Sequence, residues 1–470
     1  MFLAGEWVER DKYLEVYNPQ DNSLVASVSA ANEKDVLHAI EEAIEGAEVA
    51  ANMSVHERIS ILDSAANWIK NNKEKYATTI ALEGSKTIKE ARKEVSRCIE
   101  TLRISAEEAR RINGETISFD QMPGSENRLG YYYRFPIGII AAITPFNDPL
   151  NLVAHKVGPA IASGNAIIVK PASVTPLSAL LLAEAFEKAG LPSKVLSVIS
   201  GNTRDIGDSL ITHPAIRMIS FTGGLATGES IMKKAGLKKT SMELGANSPV
   251  IVLEDANIDE AVKSIVSGAF WAAGQNCLSV QRIYIQEEIY QDFTEKFVNR
   301  AKQYRVGDKF SEETDMGPMI SEKEAQRIES WVNEALENGA NLLCGGVRKG
   351  AFYYPTVLDN VPLDCKLVNE EVFGPVVTLQ SVSNLDIAIK KSNDVNFGLQ
   401  AGIFTNNIEN ALKAVQKLNV GGIMINDSSD YRIDAMPFGG IKGSGIGREG
   451  VKFAIQEMTE PKVVCFKVSN

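Results

Sequence analysis

The sequence predicts an α/β protein built on doubly wound parallel sheets. Two observations carry this. Strand-like and helix-like segments alternate from residue 138 to about 222, and again from 248 to about 430. The chain has 470 residues, 44% of them apolar, which is more than one core usually organises. Two or three domains are therefore expected.

The elements follow in order. Residues 1–35, with "YLEVYNPQDNSLVASV", read as short strands and turns. Residues 33–112 repeat apolar residues at helical spacing. One helix is expected over "ERISILDSAANWIKNNKEKYATTIALEG", capped by Gly84. A second is expected over "TIKEARKEVSRCIETLRISAEEARRING", ending at Gly114 after a cationic last turn. "GIIAAITPF" and "AIIVK" (166–170) are buried strands. Thr175 reads as the next N-cap, with Pro176 at the first helical position and Gly190 as terminator. "VLSVIS", a helix from Asn202 and "IRMISFTGG" continue the alternation, and "SPVIVLE" opens the second block. There "NIDEAVKSIVSGAFWAAG" reads as a helix stopped by glycine and "RIYIQ" as a strand, with Cys277 between them. "EMTEPKVVCFKV" is a lone strand with no hairpin partner nearby, so it should pair with another domain or another subunit.

Composition excludes several classes. A net charge of −11 argues against nucleic acid, whose phosphates need a basic face. A small anion needs only one or two placed arginines. The five cysteines (Cys98, Cys277, Cys344, Cys365, Cys465) form no C-x-x-C pair and are odd in number. That usage reads as reduced and cytoplasmic. "MFLAGEWVERDKY" is charged at once, so no signal peptide is expected. The longest apolar run, "FPIGIIAAITPF", is too short and too broken by proline to span a membrane. His38, His56, His155 and His213 show no metal-ligand spacing, so no metal is expected. No G-x-S-x-G elbow is present.

Five stretches carry candidate chemistry, each with a plainer reading beside it. "ISFTGGLATGES" runs from a strand through glycines into a helix, which aims N–H groups at an anion. Its G-x-x-x-x-G spacing is not the dinucleotide fingerprint, and a simple turn would look the same. Lys170 ends the strand of "IIVKPAS", where it can bond ribose or phosphate, or merely be a solvated strand end. Glu243 of "TSMELGANSP" sits among apolar neighbours, which raises a carboxylate's basicity; the alternative is a surface ion pair. In "EEVFGPVV", Glu370 and Glu371 open a strand-like segment with Phe373. In "TPFNDPLN", Asn147 lies between prolines, where its amide can donate to an oxyanion.

In this order, "VKPAS", "ISFTGG", "ELGANSP", "GQNC", "EEVFGPV" and "MPFGGIKGSGIGREG" resemble the aldehyde dehydrogenase superfamily over nearly the whole chain. The resemblance implies a Rossmann-like cofactor domain (1–115 and 138–246) and a catalytic domain (247–440). It also implies a small β element for oligomerisation (116–137 and 455–470), hence a homodimer or homotetramer. Cys277 matches the family's nucleophile, Glu243 its general base and Asn147 its oxyanion amide. Lys170 matches the ribose-binding lysine, Glu371 and Phe373 the nicotinamide-side pair, and Gly223 and Gly228 the pyrophosphate loop. Thr144, Pro145 and Leu244 would also border the cofactor, and Phe438 the substrate. Three positions depart from the pattern. Ser173 stands where NAD-preferring members often carry glutamate, so NADP is admitted beside NAD. Ala246 replaces a common glycine, and Gly224 a common serine.

The implied reaction is oxidation of an aldehyde to its carboxylic acid through a cysteine thiohemiacetal and thioester. "PFNDPLNLVAHKVGPA" and "NDSSDYRIDAMPFGG" look most like the subgroup acting on lactaldehyde, glyceraldehyde 3-phosphate without phosphorylation, phosphonoacetaldehyde and sulfolactaldehyde. Arg97 and Arg432 would then bind an anionic end. Otherwise Arg97 pairs with Glu94 or Glu100 on its own helix, and Arg432 with Asp430 or Asp434. Competing functions are a succinate-semialdehyde or general aliphatic aldehyde dehydrogenase, a coenzyme A-acylating one, and a non-enzymatic structural protein. Glu243 favours water over coenzyme A as acceptor.

Overall fold

Runs of Ile, Val and Ala buried on both faces set the architecture. Every residue of Ile139–Ile143, Ala166–Lys170, Ser248–Val252 and Gln400–Phe404 is buried. Such strands have no face to give to water and need helices on both sides. The computed structural model, which describes residues 1–469, arranges them in two large sheets.

The first sheet has eight strands. Its centre is parallel, in the spatial order Leu196–Val198, Ala166–Lys170, Ile139–Ile143, Ile216–Thr222, Lys239–Glu243. The order of winding reverses between Ile139–Ile143 and Ile216–Thr222. Loops leaving the strand C-termini at such a reversal diverge and open a crevice. Residues 144–147 and 223–224 leave there. Antiparallel pieces Phe2–Leu3, Glu6–Trp7 and Gly445–Ile446 close the edges.

The second sheet has seven strands. Six are parallel, in the order Thr356–Asp359, Val376–Val382, Val280–Gln286, Ser248–Val252, Gln400–Phe404, Gly422–Ile425. Asn341–Cys344 adds an antiparallel edge. A third, antiparallel sheet holds Thr459–Lys467, Arg128–Pro136 and Glu115–Ile117. The C-terminal strand thus pairs within its own chain, over nine residues from Thr459 opposite Pro136 to Lys467 opposite Arg128.

Helix positions depart from the sequence pattern in three places. The expected single helix from Glu57 breaks at Asn72 (φ −114°) into Val55–Asn71 and Lys73–Glu83. The Asn72 side-chain amide donates to Trp68 O at 2.9 Å, a local bond that competes with helix continuation. Gly84 does close the second piece, through its N–H to Ile80 O. The next helix, Ile88–Ala109, stops five residues before Gly114 and has no cation in its last turn. Arg111 lies beyond the end and pairs with Glu108 instead.

The third departure concerns Thr175 and Pro176. The helix starts at Leu177, and the Thr175 hydroxyl has no partner. The cap comes from another element: Glu83 accepts the Leu177 and Ser178 N–H groups at 2.7 and 2.8 Å. A fully buried carboxylate at a helix N-terminus is favoured by the helix dipole and by charge-assisted bonds. Burial still pushes Glu83 up to about 7. Glu83→Ala should leave both N–H groups unsatisfied, costing about 2–4 kcal/mol. Hydrogen exchange of the peptide covering 177–182 should then quicken by roughly tenfold or more. Unchanged exchange would show that Glu83 is not the cap.

Candidate active site

The two sheets meet end to end. The first contributes residues that follow its strands: Asn147 after Ile139–Ile143, Lys170 and Glu243 as last strand residues. The second contributes residues that precede its strands: Cys277 before Val280–Gln286, Glu371 and Phe373 before Val376–Val382. Between them lies a cavity of about 890 Å³. Among its lining residues are Thr144, Pro145, Asn147, Lys170, Ser173, Gly223, Gly224, Glu243, Cys277, Glu371, Phe373, Arg432 and Phe438. A second cavity of about 830 Å³ reaches Asn147, Cys277 and Arg432 from another side and includes Arg97. Cys277, Asn147, Leu152 and Arg432 border both.

Gly228 and Leu244, expected beside the cofactor, are absent from that lining. Gly228 instead makes room for Leu244, since a Cβ there would sit 2.2 Å from Leu244 Cδ2. Gly223 donates its N–H to Glu243 O at 2.9 Å, and Gly224 precedes the helix Leu225–Ala235. Lys170 is not a solvated strand end. It is 2% exposed, donates to Pro171 O at 3.2 Å, and burial holds it down at about 8. Ser173 donates to Gly201 O at 2.8 Å. Arg204 and Lys234, which sequence reasoning missed, line the same cavity; their helix positions give no signal of it.

These residues fit a dinucleotide. The Thr144 hydroxyl is buried without a partner, and Lys170 is a buried donor bonded to one carbonyl. Glu371 accepts the Ala246 N–H at 2.8 Å and lies flat on Gly245, where a Cβ would be 2.4 Å from its Oε2. Gly245 has φ +88°, so only glycine is at ease there. Burial pushes Glu371 up to about 7. The Phe373 ring stands edge-on to Phe146, 5.7 Å between centroids. Among the described residues no group of three His, Cys, Asp or Glu is arranged to hold a metal. No helix among them is long and apolar enough to cross a membrane.

Cys277 follows a strained segment. The helix Ile258–Phe270 ends, and Ala272, Ala273 and Gly274 turn left-handed with φ of +49°, +56° and +68°. Each alanine there costs about 1–2 kcal/mol. The Ala272 N–H donates to Glu90 Oε1 at 2.8 Å, and Gln275 Nε2 donates to Ala272 O at 3.0 Å. Cys277 Sγ lies 3.7 Å from Asn276 Oδ1. Burial pushes the thiol well above its usual range, and the Arg432 charge opposes this.

Glu243 is buried, and neither carboxylate oxygen has a partner. It is therefore no surface ion pair. Burial, then the Glu449 charge, push it far up; Arg432, Lys156 and Arg448 oppose them. Glu449 pairs with Lys156 at 3.1 Å and with Arg432 at 3.3 Å. Burial alone would push Glu449 up, but those cations hold it down at about 2. Sequence reasoning missed Glu449 and Lys156, although "GREG" and "AHKVGPA" contained them.

The arginines follow neither local alternative. Arg97 pairs with Asp434 at 2.7 Å, and His155 meets the same oxygen at 2.8 Å. Glu94 is occupied by Lys86 at 2.7 Å, and Glu100 by Arg103. Arg432 avoids Asp430 and Asp434 and lies 3.6 Å over the Phe438 ring, with its Nε buried and unpartnered. Its side chain is 6% exposed against 37% for Arg97, so Arg432 is the deeper cation.

Comparison with known proteins agrees with this geometry. The chain is 51% identical to aspartate-semialdehyde dehydrogenase 1 of Pseudomonas canavaninivorans, covering 97% of each chain. It is 46% identical to 3-sulfolactaldehyde dehydrogenase of Priestia aryabhattai, covering 100% of this chain and 98% of that one. It superposes on the glyceraldehyde-3-phosphate dehydrogenase of Methanocaldococcus jannaschii, solved with NADP, with a TM-score of 0.94. That pair shares 41% identity over 98% of this chain and 100% of the other. The model of the aldehyde dehydrogenase family matches residues 7–464, and the chain belongs to that family.

Proposed function

We propose that this aldehyde dehydrogenase uses NAD or NADP to oxidise a short hydroxylated or anionic aldehyde to its acid, through a thioester on Cys277. One observation carries the reading: Cys277 borders two cavities, with buried Glu243 on one and a buried, incompletely paired Arg432 on both. Nicotinamide, when bound, supplies the acceptor for a hydride. Lys170, Glu371, Phe373 and Thr144 would hold it, and Ser173 the adenosine end.

The chain's own residues do the rest. The Cys277 thiolate adds to the carbonyl carbon, and the π pair moves to oxygen. The Asn147 amide and the Cys277 N–H stabilise that oxyanion. Arg432 favours the thiolate by its charge and binds the substrate's anionic end. When the oxyanion collapses, hydride leaves carbon and a thioester remains. Glu243 takes a proton from water, hydroxide adds to the thioester, and the thiolate departs from the acid. Burial of Glu243 keeps it a strong base once deprotonated.

Related proteins named for aspartate semialdehyde, 3-sulfolactaldehyde and glyceraldehyde 3-phosphate support an anion near the aldehyde. The reading extends to a homodimer or homotetramer in a reducing cytoplasm. Exposed Leu129, Val463 and Phe466 on the three-stranded sheet and five free cysteines support it.

Three measurements test the reading. Glu243→Gln should give a burst of about one reduced cofactor per site, then turnover slowed by roughly 10²–10⁴. Mass spectrometry should find the acyl group on Cys277; acylation elsewhere would remove the mechanism, and a missing burst would mean that Glu243 acts before hydride transfer. Arg432→Ala should lower kcat for every aldehyde through the lost support of the thiolate, and in addition raise KM for an anionic aldehyde by about tenfold or more, the share of a lost charge-assisted bond, while KM for propionaldehyde stays within about threefold. Equal rises in KM on both substrates would mean structural damage, and no rise on either would favour a neutral substrate. Ser173→Glu should raise KM for NADP by roughly tenfold, through repulsion of a 2′-phosphate, and leave NAD within about threefold. Equal effects on both would put the 2′-phosphate elsewhere.

A further inference from the structure

We propose that Glu90 is a positioning residue for Cys277, acting through the left-handed turn Ala272–Gly274. Glu90 is 3% exposed on the helix Ile88–Ala109, which packs mainly on other helices. Its two oxygens serve different parts of the chain. Oε2 accepts the Thr87 N–H at 2.8 Å and the Thr87 hydroxyl at 3.0 Å, which is the helix's own capping box. Oε1 reaches across 182 residues to the Ala272 N–H at 2.8 Å.

That second bond falls where the backbone most needs it. Two consecutive alanines hold positive φ, a region that L-residues leave when nothing retains them. Glu90 holds the turn by the Ala272 N–H. Gln275 holds it by the Ala272 carbonyl, and is itself fixed by Ser85 Oγ at 3.0 Å, Pro318 O at 3.3 Å and the Ile320 N–H at 2.8 Å. Gly274 packs so closely on Gly374 that a Cβ would lie 2.2 Å from its carbonyl oxygen. Ala272 is five residues before Cys277. Without the Glu90 acceptor the Ala272 N–H is buried and unsatisfied, the alanines relax toward negative φ, and the segment carrying the thiol rotates away from the junction of the two cavities.

The inference rests on Cys277 as nucleophile, so its test includes a readout that needs no turnover. Glu90→Met keeps the volume and removes the acceptor. Glu90→Gln keeps one acceptor oxygen. Thr87→Val breaks the helix side of the box and leaves the Ala272 bond. For each full-length variant, alkylation of Cys277 by iodoacetamide is followed by peptide mass spectrometry, beside kcat, KM and cofactor Kd. Glu90→Met should slow alkylation and lower kcat by roughly tenfold or more with cofactor Kd unchanged, and Glu90→Gln should fall between it and the parent. Thr87→Val should lower the thermal midpoint yet keep alkylation and kcat within about twofold. Adding Ala272→Gly, which is at ease with positive φ, should return roughly threefold or more of the rate lost in Glu90→Met. A folded Glu90→Met with parental alkylation overturns the proposal, as does an equal loss in Thr87→Val. Should Glu90→Met not fold, Glu90→Gln is judged by the same criteria. Slowed alkylation with unchanged kcat would count against Cys277 as nucleophile and leave the positioning role standing.

Discussion

One buried knot holds the site together. Arg282 donates to Asn247 Oδ1 and to Asn247 O, both at 2.8 Å, and the Asn247 amide donates to Val368 O at 2.7 Å and Glu370 O at 2.9 Å. Arg282 is 2% exposed, and its remaining bonds go to Tyr284 Oη and to the carbonyls of Lys391 and Ser392. A buried guanidinium without a carboxylate survives only if neutral oxygens surround it. Its bonds to Asn247, with those of Asn247 to Val368 and Glu370, tie together the segments that must meet. Asn247 follows Glu243 by four residues, Arg282 follows Cys277 by five, and Glu370 adjoins Glu371. Loss of the Asn247 side chain would remove three of these bonds at once, one from Arg282 and two to residues 368 and 370.

The charges near Cys277 are arranged with similar economy. Lys156 and Arg432 stabilise Glu449, while Lys86 stabilises Glu94 and, with Arg97, Asp148. Most cations are thereby committed to carboxylates. Arg432 is shared more thinly, at 3.3 Å from Glu449 and with one nitrogen unpartnered, so its field reaches the thiol and the base. The Glu243 carboxylate is left without any bond, so both oxygens are free for the proton that the proposed mechanism assigns to it.

Much of this was legible in the sequence because it depends on local rules. Alternating apolar blocks gave the two parallel sheets, and Gly84 closed the helix it was expected to close. The motif residues that converge on the cavity were named from their order along the chain. What escaped depends on distance in sequence. Glu83 replaces Thr175 as a helix cap from 94 residues away, and Arg97 ignores Glu94 and Glu100 for Asp434, 337 residues on. No propensity encodes either. The packing of Gly228 on Leu244 was not visible either, since a glycine that admits a leucine looks the same in sequence as one that admits a phosphate. The left-handed alanines were invisible because alanine ordinarily signals helix.

The chain crosses from the first sheet to the second in four residues, Leu244 to Asn247, between Lys239–Glu243 and Ser248–Val252. Glu243 is the last residue on one bank and Cys277 is moored to the other. The bridge is pinned on its far side by Asn247 and on its near side by Leu244, whose N–H donates to Ser444 O. A displacement of one sheet against the other would be felt at this short bridge, and with it the gap between Glu243 and Cys277. On the proposed mechanism, substitutions in the bridge that touch neither reacting group would then reach the water-dependent step through stiffness.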